Sequence, residues 1–158
     1  MSEPIEVLNK RLASIARGRE TAKGFHFFCQ IGSEVWKGGM TTLQISGTGW
    51  VLISHRAQEV SAGDSELYSR YLSTRDLRAF IQVLQKHPFW DLDDARWEPE
   101  DDETNIHFRL MDTSQGFAWD TQIWSAERER QSDLHELLKV VDLILHTVSE
   151  RSIRPVYR

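Results

Sequence analysis

Ile106-His107-Phe108-Arg109-Leu110 and Phe117-Ala118-Trp119-Asp120-Thr121-Gln122-Ile123 are the two runs whose pairing decides the fold. Both alternate apolar and polar side chains, the period of a half-buried strand. Two hairpins can join them. A longer loop sets Leu110 against Ala118 and Phe108 against Asp120. A loop made of residues 113–116 sets Leu110 against Trp119, Phe108 against Thr121 and Ile106 against Ile123. Only the second keeps one face apolar, so it is the expected register. Arg109 then faces Asp120 across the ladder, and His107 faces Gln122.

Upstream, residues 25–31 alternate in the same way. Phe25, Phe27, Cys29 and Ile31 share one face, and His26, Phe28 and Gln30 share the other. Gly38-Gly39 breaks the chain before Leu43 and Ile45. Gly47-Thr48-Gly49 then turns into Trp50–Ile53. A two-residue turn would bring Trp50 and Leu52 beside Ile45 and Leu43. A three-residue turn with Gly49 left-handed brings Val51 and Ile53 there, and is preferred because the competing face runs on into Ser54 and Arg56. Residues 58–70 read as a polar loop broken at Gly63-Asp64-Ser65.

Three helices frame these strands. Ile5, Leu8, Leu12, Ile15 and Ala16 recur at helical spacing, with Gly18 as the stop. Ser73 or Thr74 caps a helix whose stripe is Leu77, Phe80, Ile81 and Leu84 and which Pro88 closes. A last helix is expected over residues 126–150, with Leu134, Leu137, Leu138, Val141, Ile144, Leu145 and Val148 on its apolar face. The order α-β-β-β-α-β-β-α argues the α+β class. About five strands, built from two hairpins, form an antiparallel sheet with helices packed on it.

The run Leu72-Ser73-Thr74-Arg75-Asp76-Leu77 to Pro88-Phe89-Trp90-Asp91-Leu92 resembles a pattern in small uncharacterised bacterial α+β domains. There a hairpin precedes a "Leu-Ser-x-x-x-Leu" helix that ends in "Phe-Trp/Phe-x-Leu". The resemblance covers about a third of the chain and consists of core and cap residues. It implies a fold flavour, and it carries no activity and no site residue.

Composition narrows the function. The chain has 158 residues, 27% of them charged, and a single cysteine. That length suits one domain, residues 1–158, able to bury a core without a disulfide. No apolar run reaches the roughly 18–20 residues of a membrane span, and the N-terminus has no signal-peptide pattern. A cytoplasmic protein without membrane attachment is expected. The net charge is −5. Residues 91–103 hold eight acids and one base, Arg96, so the remainder of the chain is slightly positive. No basic excess marks a nucleic-acid surface.

Chemistry-bearing motifs are few. The chain contains no P-loop, Gly-x-Gly-x-x-Gly, His-Glu-x-x-His, Cys-x-x-Cys or Gly-x-Ser-x-Gly pattern, and no cofactor or metal is implied. Cys29 lies on an apolar strand face and reads as a small buried hydrophobe in preference to a nucleophile. His135, Asp142 and His146 share a helix side, but about 16 Å of axial rise separates the outer two, too far for one ion. Val140 and Leu143 are apolar at outward positions of the same helix and suggest a homodimer seam.

Three readings follow. The leading one is a non-catalytic protein-interaction or binding module. The second is a small-ligand binder or enzyme using His107, Arg109, Asp120 and Gln122 on the outer face of the 105–123 hairpin, where an imidazole, an acid and a guanidinium allow acid–base work. The third is an acidic immunity- or antitoxin-like inhibitor. In it Trp97, Glu98, Glu100, Asp101, Asp102 and Glu103 form an exposed apron within an acidic loop at 91–104 that docks a basic protein partner. Of the six tryptophans, Trp90 and Trp119 read as core, and Trp36 and Trp97 as exposed. Phe28, Trp50 and Leu52 gather on the second face of the sheet. That face is either covered or a binding surface, and cover by the N-terminal helix is the expectation, because sheets normally hide such area.

Overall fold

The computed structural model describes residues 3–32, 39–57, 65–93 and 103–149. The elements run α1 (Glu3–Ala16), β1 (Phe25–Gly32), β2 (Met40–Ser46), β3 (Trp50–Arg56), β4 (Glu66–Tyr71), α2 (Thr74–Lys86), β5 (Asn105–Asp112), β6 (Phe117–Trp124) and α3 (Ser132–Ser149), with short 3-10 turns at Phe89–Asp91 and Ser125–Glu129. The class is α+β: the described residues form three helices and one six-stranded sheet of order β4-β3-β2-β1-β5-β6, every neighbouring pair antiparallel.

Both hairpins take the expected registers. Leu43 faces Ile53 and Ile45 faces Val51, because Gly49 adopts φ +94°, the left-handed geometry that a three-residue turn needs. Across β5 and β6, Ile106 pairs with Ile123, Phe108 with Thr121, Arg109 with Asp120 and Leu110 with Trp119. β1 joins the two hairpins at the centre of the sheet, pairing with β2 on one side and β5 on the other.

Two elements differ from expectation. The 58–70 stretch is not wholly loop, since Glu66–Tyr71 forms the edge strand β4 against β3 and makes six strands where about five were expected. Its side chains are nearly all exposed, so it lacks the burial that marks the other strands, and its backbone pairing alone defines it. The helix expected from residue 126 begins at Ser132, after the 3-10 turn Ser125–Glu129. The Glu103 carboxylate accepts the Ala126 N–H at 2.9 Å, and Ser125 Oγ accepts the Thr104 N–H at 3.1 Å. These bonds tie the turn to the start of β5.

All three helices contribute to one core on one face of the sheet. Phe27, from β1, meets Phe80 of α2 edge-on at 4.9 Å, and Phe89 stacks on Phe108 at 5.5 Å. The seven expected positions of α3 are buried, as are Ile5, Leu8, Leu12 and Ile15 of α1. Ser73 caps α2 by accepting the Asp76 N–H at 3.0 Å. α1 ends in a Schellman arrangement: the Gly18 N–H donates to the Ile15 carbonyl, the Arg19 N–H donates to the Ser14 carbonyl, and Gly18 has φ +74°.

α1 therefore does not cover the second face of the sheet, contrary to the sequence expectation. It packs beside α2 on the core side. Arg11 fixes it there, donating to Asp112 Oδ2 at 2.6 Å and to the Lys23 carbonyl at 2.7 Å, with its guanidinium over the Phe25 ring. Asp112 also accepts from the Ser114 N–H and hydroxyl. A nearly buried arginine with a fully bonded carboxylate is a strong positional constraint, and a hydrophobic pattern alone does not announce it.

Among the described residues no helix is long and apolar enough to cross a membrane.

Candidate functional site

A strand sends successive side chains to opposite faces, so the registers fix the composition of the second face. One outward row crosses the whole sheet: Ser69, Leu52, Gln44, Phe28, Arg109, Asp120. Beside it, Tyr71 pairs with Trp50, and His26 pairs with Ser46 and Met111. On its other side Gln30 lies between Thr42 and His107, and His107 is opposite Gln122. The face thus grades from aromatic and aliphatic on β3 and β4 to cationic on β5.

Over this face lies an open basin of about 730 Å³, within the roughly 300–1,000 Å³ of small-molecule sites. Phe28, Leu52, Trp50 and Met111 supply apolar lining, Gln30 and Gln44 supply amides, and His26, His107 and Arg109 supply the groups that can carry positive charge. Among the described lining residues none is acidic. That distribution stands out in a chain of net charge −5.

Geometry orders the polar end. His107 Nε2 lies 2.7 Å from Asp120 Oδ1, and Arg109 Nε lies 3.8 Å from Asp120 Oδ2. His107 therefore bonds diagonally to Asp120 and not to Gln122, the residue opposite it in the ladder. The His107 ring also meets Phe28 edge-on at 5.7 Å. Arg109 is about half exposed, 46%. At the apolar end Trp50, 38% exposed, packs on Tyr71 with ring centroids 4.7 Å apart.

The sequence-derived quartet divides. His107 and Arg109 line the basin, whereas Asp120 holds both from the edge strand and Gln122 stays outside it. His26, Gln30, Gln44 and Met111 complete the lining. Met111 lies two residues beyond Arg109 on β5; for His26, Gln30 and Gln44 the signal was the polar phase of β1 and β2. Its meaning depended on β1 lying between the two hairpins, and strand pattern does not state sheet order.

The other candidates resolve as follows. Cys29 is buried on the core face, and burial, with the Asp142 carboxylate second, pushes its thiol well above the ordinary cysteine range. That environment opposes formation of a thiolate. Asp142 lies 3.6 Å from Arg128, and no group of three His, Cys, Asp or Glu side chains among the described residues converges to hold a metal. Trp36, Trp97, Glu98, Glu100, Asp101 and Asp102 lie outside the described residues. Glu103 is not part of an exposed apron, being 2% exposed and bonded to Ala126. Trp90 is core and Trp119 packs partly buried against it. Val140 also packs partly against the core, so of the suggested seam only Leu143, 64% exposed, faces outward.

No protein-family model matches the chain, and no curated protein matches it.

Proposed function

We propose that the protein is a non-catalytic binding module and that its binding surface is the second face of the sheet, over β3, β2, β1 and β5. The observation that carries this reading is the basin itself. A concave, largely apolar floor with a few convergent polar groups is the usual form of a binding site. It lies on the face opposite the three helices, where Phe28, Leu52 and Trp50 remain partly or well exposed.

The lining chemistry favours binding over catalysis. The two hydroxyls among the described lining residues, Ser46 and Thr113, contact Thr48 Oγ1 and the Gly24 carbonyl, and no described bond joins either to a histidine, as an activated nucleophile requires. The His107–Asp120 contact at 2.7 Å supports the second reading, acid–base work at the rim, to the extent that an acid orients an imidazole there. The inhibitor reading loses Glu103, which serves the fold, and its other five residues lie outside the described ones.

Chemical-shift mapping with indole, a neutral aromatic probe, tests the proposal. Shifts should cluster on Phe28, Leu52, Trp50 and Met111 and leave α2 and α3 unmoved. Shifts spread over the helices, or none on this face, would overturn it.

A further inference from the structure

Resting on that reading, we infer that the basin selects an elongated apolar monocarboxylate, its carboxylate held at Arg109 and His26 and its body lying along Phe28 towards Leu52. Charge complementarity carries the assignment. Among the described residues Arg109 is the one permanently charged residue of the lining, and no acid shares the lining with it. Its described ion pair is with Asp120 through Nε at 3.8 Å, on the edge-strand side. A guanidinium presents five donors in a planar fork suited to carboxylates. Asp120 stands outside the basin at ion-pair distance but beyond hydrogen-bond reach of that Nε, and among the described residues no hydrogen bond takes up the guanidinium's donors. His26 is exposed and diagonal to Arg109, since Arg109 pairs with Phe28 and His26 with Met111. Such diagonal neighbours are roughly 7–8 Å apart along the backbone, near enough for two long side chains to share one carboxylate.

Dimensions set the body of the ligand. From Arg109 on β5 to Leu52 on β3 the row crosses β1 and β2, three strand spacings, or about 14 Å. An extended chain of ten or so carbons spans most of that distance. Its methylenes would meet the Phe28 ring and the Leu52 side chain, with Trp50 and Tyr71 as an aromatic wall at the far end. A decylammonium of the same length would place its charge against Arg109 and should be rejected.

The test is calorimetric titration of the full chain with decanoate, decanol and decylamine, the two ions below their micelle concentrations and the alcohol below its solubility limit. Decanoate should bind about tenfold or more tightly than decanol, and decylamine more weakly than either. Arg109→Gln should erase the preference for decanoate over decanol, and Arg109→Lys should restore part of it. Leu52→Ser should weaken decanoate and decanol alike. Arg109 is half exposed, so its variants should fold, which melting curves would verify. Equal affinity of the wild type for decanoate and decanol would overturn the carboxylate assignment while leaving an apolar binding face. Binding of an acidic aromatic peptide without any response to decanoate would overturn it in favour of a protein partner. Failure of the face as a binding surface is read separately, from the indole map.

Discussion

The two faces of the sheet are built by the same strands and solve opposite problems. On β3, Val51 and Ile53 are fully buried beneath the helices, while Trp50, one position away, is 38% exposed and Leu52 only partly covered. On the β5–β6 hairpin, Asp112 points inward, 1% exposed and bound to Arg11 at 2.6 Å, while Asp120 points outward, 50% exposed and bound to His107 at 2.7 Å. The same residue type, at closely similar hydrogen-bond distances, locks a helix onto the core on one side and orients a rim imidazole on the other. Burial separates the roles. An inward charge must stay paired because water cannot replace its partner, whereas an outward pair is screened and exchangeable.

The largest difference between the faces should appear at these two aspartates. Asp112→Ala takes the buried carboxylate from Arg11 and leaves it the more exposed Glu20 at 3.5 Å, so it should cost about 3 kcal/mol, read from urea unfolding. Asp120→Ala should cost less than about 1 kcal/mol while freeing the side chains of His107 and Arg109. Similar losses would erase the distinction between the faces.

Helix α3 repeats the contrast on a single element. Leu138, fully buried, and Leu143, 64% exposed, lie on opposite sides. Leu138→Ala should lose roughly 2–5 kcal/mol, and Leu143→Ala no more than about 0.5 kcal/mol in a monomer. A large loss at Leu143, with a melting temperature that rises with protein concentration, would show that a second copy covers it.

Glu103 sharpens the comparison from the acidic stretch. Glu103→Ala should cost about 1–3 kcal/mol by leaving the Ala126 N–H without its acceptor. An unchanged melting curve would return this residue to the solvated surface.

Much of the fold was legible because burial leaves periodic traces. Phe108, Leu110, Trp119 and Ile123 fixed one register, and Gly49 with Val51 and Ile53 fixed the other. β4 was not legible, since an exposed edge strand needs no apolar period and Glu66–Tyr71 has none. The side taken by α1 was not legible either. Its apolar stripe demands a partner surface but does not say which face of the sheet supplies it, and the Arg11–Asp112 bond joins residues 101 positions apart. Half of the site was readable for a related reason. His107 and Arg109 stood out on a well-registered hairpin, and Met111 shares their strand and face, but His26, Gln30 and Gln44 join them only once β1 is known to lie between β2 and β5. Glu103 was misread because a run of acids suggests solvent, whereas its last member satisfies a backbone donor.

One face of the sheet holds the fold together, and the proposed binding face contributes little to its stability. Paired urea melts of Ile53→Ser and Leu52→Ser test it most directly, because the residues are adjacent on one strand and face opposite ways. Ile53→Ser should lose at least about 3 kcal/mol, through lost burial and an unpaired hydroxyl. Leu52→Ser should lose no more than about 1 kcal/mol and should still unfold in one cooperative step. Equal losses at the two positions would contradict the claim, because the second face would then be core.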